Sequence, residues 1–69
     1  MILDHLALAE RHVAQGRQHI AQQKQIIIAL ESGGHDTTEA KRLLLNFEDV
    51  QKMHLADRDR LKKELADWV

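Results

Sequence analysis

The sequence predicts an all-α protein: an antiparallel two-helix hairpin of coiled-coil type, dimerising into a four-helix bundle. Three observations carry the fold class. A single cluster of helix breakers, Ser32-Gly33-Gly34-His35-Asp36, lies near the midpoint of the 69 residues. Both flanks consist of good helix formers, with no proline and only one further glycine, Gly16. Apolar residues recur every seven positions on each flank, the spacing of a coiled-coil seam. The whole chain then reads as one unit, with helix 1 over about 2–31, a loop over about 32–36 and helix 2 over about 37–68.

In helix 1, Leu6, Val13, Ile20 and Ile27 form one seven-residue series. Ile2, Ala9, Gly16, Gln23 and Leu30 are interleaved with it. The loop carries its own punctuation. Gly33 or Gly34 suits the left-handed residue that ends a helix, and Asp36 suits the N-cap of the next. Glu39, three residues on, would complete a capping box. In helix 2 the matching series is Ala40, Phe47, His54, Leu61 and Trp68, interleaved with Leu43, Val50, Asp57 and Glu64. Folding at the loop pairs residues whose numbers sum to about 70, so Gly16 should face His54 and Ile2 should face Trp68. Glu48–Lys52 and Asp59–Lys63 have the spacing of exposed helical ion pairs.

Composition narrows the function classes. The absence of cysteine excludes disulfides, thiolate metal sites and thiol catalysis. A net charge of −1 offers no electrostatic footprint for a polyanion. Nucleic-acid binding by a small four-helix bundle would need a basic stripe with aromatics to stack on. Here the only aromatics, Phe47 and Trp68, fall at seam positions and acids interrupt the bases, so RNA ranks third. No apolar run reaches the ~18 residues of a membrane span. The expectation is a soluble, cytoplasmic protein with no membrane partner and no cofactor.

Histidine is the one unusual count, with five in the chain. His5, His12 and His19 stand seven apart on one edge of helix 1, and His54 lies across the seam from them. His12, His19 and His54 are therefore the candidates for a metal site, with Asp57 as a further ligand. Their spacing argues against it, because residues seven apart on a helix are about 10.5 Å apart. His54, Asp57 and Gln23 at core-type positions read better as a buried polar layer that fixes register. No nucleophile faces a base across the seam, so no enzyme is expected.

Surplus apolar residues point to assembly. Ala7, Ala14, Ala21 and Ile28 form a second ridge on helix 1, and Leu44 and Leu45 extend it near the loop. These six are the expected interface with a second copy, and another helical protein is a further candidate partner. The best reading of function is a non-enzymatic structural or interaction module that self-associates. A histidine-edged regulator binding metal, haem or protons is the alternative.

Three stretches also carry a family likeness: Leu6-Ala7-Leu8-Ala9-Glu10-Arg11-His12-Val13-Ala14, Gly34-His35-Asp36-Thr37-Thr38-Glu39-Ala40, and His54-Leu55-Ala56-Asp57-Arg58-Asp59-Arg60-Leu61. With them the chain resembles a family of short uncharacterised alphaproteobacterial helical-hairpin proteins with a helix–GHDT–helix pattern. That resemblance implies the two-helix fold and brings no assigned activity.

Overall fold

Two α-helices of 31 residues each, α1 (Ile2–Ser32) and α2 (Thr38–Trp68), make up nearly all of the chain. The structure, a computed structural model, describes residues 1–68, with the side chain of Trp68 outside the described part. The expected Ile2–Trp68 contact therefore lies outside the described residues. The helices pack against each other as a hairpin with Cα extents of 55 × 14 × 13 Å. No strand occurs among the described residues, and none of them form a helix long and apolar enough to cross a membrane.

The loop reverses the chain through backbone hydrogen bonds. Gly34 takes the left-handed conformation (φ 72°), while Gly33 stays right-handed. The His35 N–H donates to the Leu30 carbonyl at 2.9 Å, and the Gly34 N–H donates to the Glu31 carbonyl at 3.1 Å. This pair of bonds is the Schellman motif, and it satisfies carbonyls that the helix end leaves free. Asp36 works at the start of α2, one residue further out than an N-cap. Its carboxylate accepts from the Thr38 N–H (3.0 Å) and from the Thr38 hydroxyl (2.7 Å). The carbonyl that opens the helix belongs to Thr37, which accepts from Lys41 N–H. Among the described residues no bond from Glu39 closes the expected capping box.

The α1 side of the seam is the expected one. Ala9, Val13, Gln23 and Ile27 are buried, and Ile2, Leu6, Gly16, Ile20 and Leu30 are half-buried. On α2, the series Ala40, Phe47, His54 and Leu61 faces inward, but its interleaved partners differ from the expectation. They are Leu44, Gln51, Arg58 and Leu65, four residues on rather than three. Leu43, Val50 and Glu64 are exposed, and Asp57 is half-buried at the flank. The run Leu43-Leu44-Leu45 offers apolar residues at both spacings, and the true series contains two polar residues that an apolar pattern passes over.

Register differs as well. Gly16 faces Gln51 rather than His54, so facing residues sum to about 67. The Schellman turn closes on the Leu30 carbonyl, and the half-buried Thr37 lies just ahead of α2. The Gln51 amide lies where a Gly16 side chain would be: a methyl group there would overlap Oε1 and come within 2.7 Å of Cδ. Gln51 Nε2 donates to the Val13 carbonyl at 2.9 Å, and Gln23 Nε2 donates to the Ala40 carbonyl at 2.9 Å. Each buried glutamine thus ties its helix to the backbone of the other. Gln51 Oε1 is buried with no hydrogen-bond partner and rests on the bare Cα of Gly16.

That contact decides the sign of a substitution. Glycine in a helix costs about 1 kcal/mol relative to alanine. Gly16→Ala should nevertheless fail to stabilise the parent, because the new methyl displaces the Gln51 amide from Val13. In a Gln51→Ala background the same change should stabilise by about 1 kcal/mol. Chemical unfolding of the four proteins measures the coupling, and additive effects would show that Gly16 and Gln51 do not interlock.

Candidate interaction surface

The hairpin has two broad sides flanking the seam, and their chemistry differs. On the first, Ile27, Ile28, Leu44 and Leu45 line an open apolar depression next to the loop, with Lys24 and Lys41 at its rim. Ile28 is 56% exposed and Leu45 62%. Ala7, Ala14 and Ala21 are exposed too, and by their seven-residue spacing they continue this side from Ile28 towards the free end. The expected interface residues Ile28, Leu44 and Leu45 are thus brought together in one place. A salt bridge from Lys62 Nζ to Glu10 Oε1 (3.7 Å) joins the two helices.

The second side carries the histidines. His12 and His54 face each other across the seam with ring centroids 5.1 Å apart and planes tilted by 41°. His19 does not join them. It packs on Phe47, with centroids 5.7 Å apart. A small cavity of about 80 Å³ lies among His12, Gly16, His19, Phe47, Val50 and His54. A neighbouring one is lined by His5, His12, Asp57 and Arg60. The three candidate ligands thus line one cavity, with His12 and His54 ring to ring and His19 stacked on Phe47 instead. Among the described residues no group of three or more histidine, aspartate or glutamate side chains is placed to hold a metal ion. Two imidazoles alone make a weak site for a transition metal, which usually takes three or four protein ligands.

The Asp57–Arg60 segment is a run of ion pairs. Arg60 Nη2 donates to Asp57 Oδ1 at 2.5 Å, and Arg60 Nη1 lies 3.7 Å from Glu64. These carboxylates raise the Arg60 pKa, the Asp57 hydrogen bond first and the charges of Asp57 and Glu64 after it. Arg58 occupies a seam position and pairs with Asp59 at 3.0 Å. The expected pairs Glu48–Lys52 and Asp59–Lys63 do not form; Lys52 reaches Asp49 instead, at 3.9 Å. Exposed pairs of this kind contribute little stability individually.

Gln51 is the seam residue that pattern reading passed over. Its signal was present as the seven-residue series Leu44, Gln51, Arg58 and Leu65, together with a glycine in the facing helix. No family model matches the chain, and no curated protein or solved structure shows a significant match to it. The surface chemistry therefore carries the functional argument by itself.

The loop, which holds the GHDT sequence, is accounted for by turn chemistry. Hydrogen bonds from the Thr38 backbone, and then from its hydroxyl, hold the Asp36 carboxyl below its usual pKa. A lowered folded-state pKa stabilises the fold above the unfolded value of about 3.9, and that contribution disappears as pH falls through the folded value. The stability advantage of the parent over Asp36→Ala should hold at pH 6 and shrink steadily below about pH 4. Chemical unfolding across that range measures it. An advantage independent of pH down to about 2 would show that the carboxylate does not cap α2.

Proposed function

We propose that this chain is a non-enzymatic structural or protein-interaction module, acting in the cytoplasm, that self-associates by helix packing. One observation carries the reading: the hairpin exposes far more surface than its size requires. Its accessible area is 5387 Å², whereas a compact folded monomer of 8.0 kDa exposes about 4,450 Å². The excess of roughly 900 Å² is close to the ~800 Å² that one partner contributes to a standard protein interface. The radius of gyration supports the same point, at 16.0 Å against about 11 Å for a compact domain of this length.

The burial pattern agrees. Among the described residues only Ala9, Val13, Ile27 and Leu61 are buried apolar side chains, while Ile26, Ile28, Leu43 and Leu45 around the loop end stay exposed. A helix pair apolar on both sides near one end is suited to burial among further helices. The regulator reading is weaker, because His12 and His54 meet ring to ring while His19 packs on Phe47.

Sedimentation equilibrium at micromolar concentrations tests the reading. The expected result is a folded dimer or higher oligomer that dissociates on dilution. A folded monomer that stays monomeric across the range overturns it.

A further inference from the structure

Resting on that reading, we infer that two copies meet on the histidine side and complete a transition-metal site, each contributing its His12–His54 pair. Neither copy holds the site alone. The two rings stand 5.1 Å apart between centroids, and both side chains are half-buried. That separation fits chelation. In a tetrahedral site with zinc–nitrogen bonds of about 2.0–2.1 Å, two imidazole ring centres stand about 5 Å apart. A half-turn of χ2 exchanges ring nitrogen for carbon and leaves the ring in place, so either rotamer keeps the spacing. His12 lines both cavities of this side, and His54 lines one of them. Among the described residues no hydrogen bond engages either ring, so no protein group competes for their nitrogens. His19, stacked on Phe47, stays outside the pair.

Two imidazoles fall short of the three or four protein ligands such a metal takes, and the described residues of one chain offer no third. A two-fold axis through the pair supplies the shortage. It brings the partner's His12 and His54 to the same point and makes a four-imidazole site, a donor type that suits zinc, copper or nickel. An isologous contact also needs a face that tolerates its own copy. The histidine side does. Its imidazoles are neutral above about pH 6.5, and its Asp57 carboxylate is paired with Arg60. Leu8 and Val50, each 47% exposed, flank the pair along the hairpin and are covered by the same contact. The other side is less suited. Lys24 and Lys41 both line its apolar depression, and neither has an ion pair among the described residues. Laying that depression on its own copy would gather four ammonium groups, a like-charge contact that opposes association.

Zinc chloride added to metal-stripped protein at about pH 7.5, where the imidazoles are neutral, is the probe. Sedimentation equilibrium should show zinc tightening the dimer at least about tenfold. Calorimetric titration should saturate at one zinc per two chains. His12→Ala, at the edge of the seam, should abolish the zinc effect with helicity retained, and His54→Gln should do the same. His19→Ala should keep it. Zinc that leaves the dissociation constant unchanged overturns the inference. So does saturation at one zinc per chain, or a zinc effect that survives in folded His12→Ala. If the metal-free chain nevertheless dimerises, self-association stands without the metal site. A chain that is monomeric with and without zinc overturns both.

Discussion

Each helix of this chain has one other helix to bury against, and that constraint shapes everything else. A pair of 31-residue helices shares a single narrow seam, and no side chain among those described is fully buried. Isolated hairpins of this size rarely stabilise themselves without a disulfide, a metal or a partner. The sequence meets the shortage in two ways. It locks the seam it has with directional polar contacts, and it leaves apolar side chains exposed on its flanks.

The polar contacts explain residues that would otherwise look misplaced. Gln23 and Gln51 are buried, and each donates to a carbonyl of the facing helix. These carbonyls lie within helices, so the amides use a second lone pair and leave the helical bonds intact. A buried amide tolerates only the register in which its partner is present, whereas leucine against leucine tolerates several. Gly16 is the complement of Gln51, giving up helix propensity so that the amide can approach the backbone. Near the free end, Arg58 lies in the seam and turns its head to Asp59 outside it, as long basic side chains do.

Much of this was legible before the structure. The breaker cluster fixed the hairpin, and the α1 seam follows from Leu6, Val13, Ile20 and Ile27. The second seam was half legible. Ala40, Phe47, His54 and Leu61 were apparent, but Leu43-Leu44-Leu45 is apolar whichever spacing is used, and the deciding residues were polar. Register shifted by three, and the half-buried Thr37, expected inside the second helix, lies just ahead of it. That shift moved Gly16 from His54 to Gln51 and placed His54 against His12. Pattern alone does not show how a loop closes, since closure depends on which glycine turns left-handed and which carbonyls the turn satisfies.

Stability and assembly are one question for such a molecule. If the missing burial is supplied by a second copy, unfolding and dissociation are coupled, and the unfolding midpoint must depend on protein concentration. Thermal unfolding followed by far-ultraviolet circular dichroism over a hundredfold range of concentration measures that coupling directly. The account predicts a midpoint that climbs steadily with concentration. A midpoint that stays constant, with a cooperative transition at every concentration, would contradict it.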